Sequence, residues 1–206
     1  MPVVAEPSRR ERRKLEIRDR ILGAGVALFD ERGIEATRVA EICERADVAN
    51  KTFFNYFQTK QALLEEIAQL GLEQLVLDIE DARKQPGSTR ERIRHFFEHL
   101  AGNAEKVGPM HRELLNEIIQ ICSRRSGPRQ ARLVHDAFGA IVDDGLASGD
   151  VDPRYERATL TEMLMGGFYA LMFNWANLED YPLRERALAT ARFLGNAVSA
   201  PPKETE

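Results

Sequence analysis

Hydrophobic residues recur along most of the chain with the spacing of an α-helix. Over residues 10–32 they follow one another at steps of four, three and four, which places them on one helical face: Ile17, Ile21, Ala24 and Leu28. Gly33 comes next, at a position where a residue with positive φ often ends a helix. Alternating β-branched runs, which would indicate strands, are few. The pattern therefore predicts a first helix over residues 10–32 in an α-helical protein.

The same spacing, interrupted by glycine and proline, predicts nine helices and no sheet. After the first helix they cover residues 39–46, 50–56, 60–84, 89–106, 109–123, 129–148, 155–178 and 182–198. Thr59 is placed to cap the helix that begins at Lys60. We expect two domains and a short tail: residues 1–58, residues 59–200 and residues 201–206.

The two short helices and the tight turn between them predict a helix-turn-helix packed on the first helix. In such a unit the second helix enters the major groove of DNA. Phe53 and Phe57 lie one turn apart and are expected to anchor it on the core. Its other side chains can read base edges or bind phosphate: Asn50, Lys51, Thr52, Phe54, Asn55 and Tyr56. Lys60, at a helix N-terminus, is expected to hold a phosphate as well.

Several residues in and around this unit stand at fixed offsets from one another. They are Gly33-Ile-Glu-Ala-Thr37, Ile42, Val48 and Thr52-Phe-Phe-Asn-Tyr-Phe57-Gln-Thr-Lys60. This pattern resembles the DNA-binding signature of TetR/AcrR-family transcriptional regulators, and the close match covers about residues 15–65. Beyond it, only the helix count, the helix lengths and the apolar last two helices are similar. The resemblance implies an all-α homodimer with two N-terminal DNA-binding units and a C-terminal domain for a ligand and for dimerisation.

Carried over to this sequence, the resemblance implies that Asn50, Lys51 and Phe54 face bases. It implies that a further set contacts phosphates or supports such contacts: Thr37, Thr52, Asn55, Tyr56 and Lys60. The chain departs from the family pattern at Asp47, where glycine is usual, at Ala49, where a capping serine or threonine is usual, and at Arg38 and Ala40. Aspartate tolerates the left-handed conformation, so we expect the turn to form. Without a capping side chain at Ala49, Asn50 is an alternative cap, and Arg38 is expected to reach a phosphate.

Charge is distributed unevenly along the chain, whose net charge is −4. Residues 1–60 carry 12 Lys and Arg against 10 Asp and Glu, whereas the remaining residues carry 17 against 23. A positive front end on a negative body suits a protein that presents one face to a polyanion. Five basic residues lie near the start of the chain: Arg9, Arg10, Arg12, Arg13 and Lys14. They indicate either a solvated helix start or a basic arm that lies along a groove of DNA.

Composition argues against several classes of protein. Two cysteines, Cys43 and Cys122, are too few for a disulfide framework or a four-thiolate zinc site. No apolar run approaches the roughly 18 residues that cross a bilayer. The first charges follow a short apolar patch, which is the wrong order for a secretory signal. We therefore expect a cytoplasmic protein with no membrane partner and no cofactor.

His95, Glu98 and His99 fit the inverted zinc-protease pattern. On a helix both imidazoles would lie on one face, one turn apart, which is a spacing that metal ligands use. A pattern with three defined positions arises easily by chance, and no further carboxylate is marked out as a third ligand. We therefore expect no metal and no catalysis, and His95 and His99 are expected to border a cavity. An enzyme, or an adventitious metal site, remains the alternative.

Residues 163–175 are apolar nearly all round, so they must be covered on more than one side. Gly166 and Gly167 among them predict a close helix approach or a gap. With the last helix and their symmetry mates they would form a four-helix dimer interface, which is what the resemblance implies. Residues that line a ligand cavity or fill a core are expected in this half of the chain: Phe96, Leu100, Met110, Leu114, Phe138, Met165, Tyr169, Met172 and Trp175, with His99, Asn116, Glu117 and Asn174 as polar groups. Such walls favour an uncharged or weakly polar hydrophobic ligand.

These observations predict a DNA-binding transcriptional regulator, a repressor of the TetR type. It would bind a palindromic operator as a homodimer, with its two DNA-binding units about 34–36 Å apart. A small hydrophobic effector would release it from the DNA. The effector would shift helix 60–84 and so tilt the two DNA-binding units until their separation no longer matches that of successive major grooves. A DNA-binding protein that needs no ligand is a further alternative.

Overall fold

The computed structural model describes residues 8–104, 112–114 and 127–201, and only the backbone of residues 127–131. These ranges contain eight helices: α1 (Arg9–Arg32), α2 (Val39–Arg45), α3 (Asn50–Tyr56), α4 (Lys60–Lys84), α5 (Thr89–Ala104), α6 (Gly127–Ser148), α7 (Arg157–Asn177) and α8 (Leu183–Val198). Residues 112–114 are helical too, and the rest of the predicted helix 109–123 lies outside the described residues. The protein is all-α, as the sequence predicts.

Local signals set most helix ends where the sequence predicts them. Ser8 and Glu11 form a capping box that begins α1, with the Ser8 N–H donating to the Glu11 carboxylate at 2.7 Å. Gly33 ends α1 with a φ of 85°, a conformation that is cheap only for glycine. The hydroxyl of Thr59 accepts the Ala62 N–H at 3.0 Å and caps α4. Helix α6 begins at Gly127, two residues before the predicted start at residue 129.

The first three helices and the start of α4 enclose a core of their own, the N-terminal core. Its completely buried side chains include Ile21, Phe29, Ile42, Phe53 and Leu63. Leu114, from the short helical stretch 112–114, belongs to this core as well. The prediction that Leu114 lines a cavity of the C-terminal half is therefore wrong, because its side chain packs with the N-terminal helices.

Helix α4 takes part in two cores. Leu63 and Ile67 belong to the N-terminal core, whereas Leu72 and Ile79, further along the same helix, belong to a second, C-terminal core formed with α5–α8. The predicted boundary between residues 58 and 59 remains a prediction. A movement of α4 changes the packing in both cores, because close-packed side chains transmit small displacements.

An ion pair holds α4 against α6. Arg83 donates two hydrogen bonds to the Asp144 carboxylate, at 2.8 and 3.0 Å, and Arg92 on α5 lies 3.8 Å from the same carboxylate. The Arg83 hydrogen bonds hold the pKa of Asp144 below its usual value. This pair joins the helix that spans both cores to the C-terminal bundle.

Close packing joins α7 to α8. A Cβ atom on Gly167 would lie 2.7 Å from the Leu194 side chain, so this glycine permits the close approach that the sequence predicts. A Cβ atom on Gly166 would have no neighbouring atom within 4 Å. Val151 and Ser199 form an isolated bridge that the sequence does not predict, and it ties the α6–α7 loop to the end of α8. None of the helices in the described ranges is long and apolar enough to cross a membrane.

Candidate functional site

A tight turn at Asp47 separates α2 from α3. Asp47 has a φ of 52°, so it adopts the left-handed conformation expected of it. The Val48 N–H donates to the Cys43 carbonyl at 3.0 Å and the Asp47 N–H donates to the Glu44 carbonyl at 3.1 Å. These two hydrogen bonds are those of a Schellman motif, which satisfies the last carbonyls of a helix and reverses the chain direction. Aspartate thus replaces glycine here without loss of the turn.

The two faces of α3 differ in exposure. Phe53 is fully buried and Phe57, just after the helix, is 4% exposed, and their ring centroids lie 5.9 Å apart. Both are anchors in the N-terminal core, as predicted. Four residues on the opposite face are exposed and form one continuous strip, which we call the α3 ridge: Asn50, Lys51, Phe54 and Asn55.

The margins of the α3 ridge are only partly exposed. Thr52 and Tyr56 are half-buried, and the Tyr56 ring packs against the N-terminal core. Ala49 precedes α3 as its N-cap and makes no side-chain capping bond. Asn50 is the first residue of the helix itself, so it does not occupy the cap position that the sequence offered as an alternative.

Two residues predicted to face phosphate are used inside the loop between α1 and α2. Thr37 is 1% exposed, and its hydroxyl donates to the carbonyls of Gly33 at 2.8 Å and Leu28 at 3.3 Å. Lys60 directs its ammonium at the carbonyls of Ile34, at 2.7 Å, and Thr37, at 3.0 Å, with that of Glu35 at 3.4 Å. Both donors are thus bound to backbone carbonyls and brace the loop, which fits support of a phosphate contact better than a direct one; their role in DNA binding stays a prediction.

Ion pairs from α1 fix the orientation of the helix-turn-helix. Arg20 donates to the Asp47 carbonyl in the turn at 2.9 Å. Arg32 donates to the Glu41 carboxylate at 2.8 Å, and Glu41 also accepts the Arg38 N–H at 2.8 Å. This backbone hydrogen bond lowers the pKa of Glu41 and keeps a carboxylate at the N-terminus of α2. No sequence motif marked the contacts of Arg20 and Arg32, since they join α1 to residues outside that helix.

The basic residues near the start of the chain lie on a helix. Arg9, Arg10, Arg12, Arg13 and Lys14 are exposed in the first turns of α1. The structure places these five residues on a helix, and their position along a groove of DNA stays a prediction. The capping box formed by Ser8 and Glu11 places a carboxylate among them, which offsets part of their unfavourable interaction with the helix dipole.

Comparison with known proteins assigns the chain to a family. The model of the bacterial regulatory proteins, tetR family, matches residues 21–67, which contain the second half of α1, the helix-turn-helix and the start of α4. The transcriptional repressor KstR of Mycobacterium tuberculosis is 36% identical over 201 residues, covering 96% of this chain and 90% of KstR. The chain belongs to the TetR family of bacterial regulatory proteins. It is therefore related to transcriptional regulators rather than to enzymes.

Solved structures share the fold of this TetR-family regulator. SmeT, the repressor of a multidrug efflux pump of Stenotrophomonas maltophilia, has a TM-score of 0.67 at 17% identity, over 90% of this chain and 91% of that one. FadR of Bacillus subtilis, solved in complex with stearoyl-CoA, has a TM-score of 0.62 at 19% identity, over 87% and 98%. At these identities the comparison supports the fold alone.

Several residues predicted to line a ligand cavity in this TetR-family regulator pack against one another. Phe96 and Phe138 are nearly fully buried, and their ring centroids lie 5.2 Å apart. Phe168 lies 5.9 Å from Phe96 and 6.0 Å from Phe138 by the same measure. Three more of the predicted residues belong to this core or pack on it: Met165, Tyr169 and Met172. Met110 and Glu117 lie outside the described residues.

An open pocket of about 640 Å³ lies where α5 and α7 end and α8 begins. Trp175 is the predicted ligand residue that lines it. The pocket has further apolar walls and two charged side chains that the sequence did not single out: Ala104, Tyr181, Pro182, Leu183 and Leu188, with Arg184 and Glu185. These residues lie at or near helix ends, and the hydrophobic pattern of one helix does not show which residues of other helices its side chains contact.

The histidine pair lies on the surface between α4 and α5. The two rings are stacked with centroids 6.4 Å apart, and each imidazole faces its own carboxylate: His95 lies 3.9 Å from Asp81 and His99 lies 3.8 Å from Asp78. His99 is not among the residues that line the pocket beside Trp175. Within the described ranges, no three His, Cys, Asp or Glu side chains come together as a metal ion would require.

Proposed function

We propose that this TetR-family regulator is a homodimeric repressor. The α3 ridge of each subunit enters the major groove of a palindromic operator, and a small hydrophobic effector bound in the C-terminal half releases the DNA. The observation that carries this proposal is the α3 ridge itself. Amide, cationic and aromatic groups stand exposed on a helix whose opposite side is anchored by Phe53 and Phe57.

The exposure of each side chain supports a distinct role. Asn50, Lys51 and Phe54 contact base edges, since amide, ammonium and aromatic groups are those that distinguish base pairs in the major groove. Asn55 and Arg38 are exposed and contact phosphates. Thr52 and Tyr56, half-buried at the margins, support these contacts.

Dimerisation is proposed for an exposed stripe on α7 and for Phe193 on α8. The stripe residues recur at steps of three, four, three and four: Met163, Gly166, Ala170, Phe173 and Asn177. Met163 and Phe173 are each 56% exposed, and Phe193 is 72% exposed. Large apolar side chains clustered on a surface indicate an interaction site. Self-association through a two-fold axis would cover both helices and place two α3 ridges on one face of the duplex.

The effector is proposed to occupy the pocket beside Trp175. Its walls are apolar apart from Arg184 and Glu185, so a hydrophobic molecule with one polar end fits the lining. FadR, which shares the fold, holds stearoyl-CoA, a ligand with a long apolar chain. We propose the class of ligand from the lining and leave its identity to screening.

Selection of duplexes from a random library, with the full chain at low salt, tests DNA binding. We expect enrichment of an inverted repeat with half-sites one helical turn apart. Lys51→Ala should relax the preference at one position of each half-site, and a lost base contact costs about 1–3 kcal/mol. Lys84→Ala, an exposed lysine at the far end of α4, is the matched control and should select the same sequence. Failure to enrich any duplex would contradict the proposed function.

Thermal shift of the purified protein against a metabolite library tests the effector. A ligand that binds the folded protein raises the melting temperature by mass action. It should also weaken binding to the selected operator. A protein that binds its operator but responds to no compound would be a ligand-independent regulator.

A further inference from the structure

Three consecutive residues, 112–114, contact both halves of the molecule. Arg112 places its guanidinium carbon 5.6 Å from the centroid of the Trp175 ring, within the range of a cation–π interaction. Trp175 lines the pocket and belongs to the C-terminal core. Leu114, two residues after Arg112, is 6% exposed and belongs to the N-terminal core. The stretch therefore joins the pocket wall to the DNA-binding half.

Glu113 holds the loop that leads into the helix-turn-helix. Its carboxylate accepts the Ile34 N–H at 3.2 Å. The same carboxylate lies against Gly33, where an added Cβ would meet it at 3.3 Å. Ile34 is followed closely by Arg38, the N-cap of α2. The loop that precedes α2 is thus tied to Glu113 by a hydrogen bond from the Ile34 backbone N–H to the Glu113 carboxylate.

We propose that Arg112, Glu113 and Leu114 form a relay by which the pocket controls the position of the helix-turn-helix. An occupant that packs against Trp175 shifts the indole ring, and the Arg112 guanidinium, which lies over that ring, shifts with it. Displacement of Arg112 moves the adjoining Glu113, and the loop at Ile34 loses or shifts its acceptor. The relay rests on the proposed function, since it assigns the residues that couple the effector pocket to DNA binding.

Coupling between two sites is reciprocal, so the relay can be tested without the effector. If the pocket moves the loop at Ile34, then DNA bound at the helix-turn-helix must alter the surroundings of Trp175. Trp175 is the one tryptophan in the sequence. Its emission therefore reports on the pocket with no competing signal.

The experiment titrates the full protein with the selected operator duplex and records two signals. Anisotropy of labelled DNA reports binding, and Trp175 emission reports coupling. We expect the wild-type emission to shift and to saturate at the same DNA concentration as the anisotropy. Arg112→Met and Glu113→Ala should lose this shift, whereas Glu113→Gln, which keeps a carbonyl acceptor for Ile34, should retain most of it.

Arg94→Met and Glu98→Ala, from a pair on the α5 surface, are the matched controls and should shift like the wild type. Melting curves of each variant establish that it is folded. An operator complex that forms without any change in wild-type Trp175 emission would overturn the relay and leave the proposed function intact. Full emission shifts in folded Arg112→Met and Glu113→Ala would also overturn it. A lack of duplex binding would instead contradict the proposed function.

Discussion

Replacement of Lys60 by methionine distinguishes a structural lysine from a phosphate contact. The Lys60 ammonium donates to the carbonyls of Ile34 and Thr37 at 2.7 and 3.0 Å, and weakly to that of Glu35 at 3.4 Å. Methionine keeps most of the side-chain length and removes the charge and all three donors. The variant therefore tests the contacts of the ammonium with little change in apolar packing.

The magnitude follows from the number and burial of these bonds. A hydrogen bond to a charged group contributes roughly 1.5–3 kcal/mol when it is buried. Lys60 is half-buried, and water can reach the carbonyls once the ammonium is gone, so we expect a loss of about 1–2 kcal/mol in the free energy of unfolding. In a chain of this size each kcal/mol lowers the melting temperature by about 2–4 °C.

Two measurements decide the role of Lys60. Circular dichroism melts at one protein concentration should show the lower melting temperature, and Lys84→Met should melt like the wild type. The dependence of operator affinity on salt should keep its slope, because no phosphate contact is removed. A slope reduced by about 0.9 with an unchanged melting temperature would refute this reasoning and restore Lys60 as a phosphate contact.

Three further predictions concern stability and assembly. Phe53→Ala should lower the free energy of unfolding by about 3–5 kcal/mol, because the ring is fully buried. Phe54→Ala, whose ring is 51% exposed, should change the free energy of unfolding by only about 0.5 kcal/mol yet weaken operator binding. Equal urea midpoints for the two variants would contradict this prediction. Arg83 lowers the pKa of Asp144, so their interaction stabilises the protein above the usual aspartate pKa and is lost as the pH falls through the lowered value. Asp144→Asn should thus be less stable than the wild type at neutral pH, with the difference vanishing in acid, whereas the more exposed Asp136→Asn should show no such difference. Phe193→Glu should sediment as a monomer, because a two-fold interface would bring two carboxylates together, while Leu77→Glu, also exposed but on α4, should sediment like the wild type.

Patterns of neighbouring residues were sufficient to predict where the helices lie. The bounds of α3 and α4 agree with the prediction to the residue, because their start and stop signals lie within a few residues of each end. Thr59 as a cap and Asp47 in the left-handed conformation followed from the same short-range chemistry. Phe53 and Phe57 were identified as core residues because their spacing puts them on one side of α3.

Long-range contacts were the part that local patterns missed. Lys60 and Thr37 have donors suited to phosphate, and only the fold shows that backbone carbonyls of the α1–α2 loop already accept from them. Leu114 reads as one more apolar residue of the C-terminal half, yet it packs with the N-terminal core. Spacing along a helix defines a face, but it does not say which partner covers that face.

By itself, then, the amino-acid sequence determined the helical class, the helix-turn-helix and the family, since each depends on neighbours a few residues apart. Only the tertiary structure decided which donors remain available on the surface. It also placed Arg112 over Trp175 and the neighbouring Glu113 against Ile34. The physical reason is that hydrogen bonds and packing are satisfied between segments distant in sequence, and a group satisfied there no longer has the role its chemistry suggests.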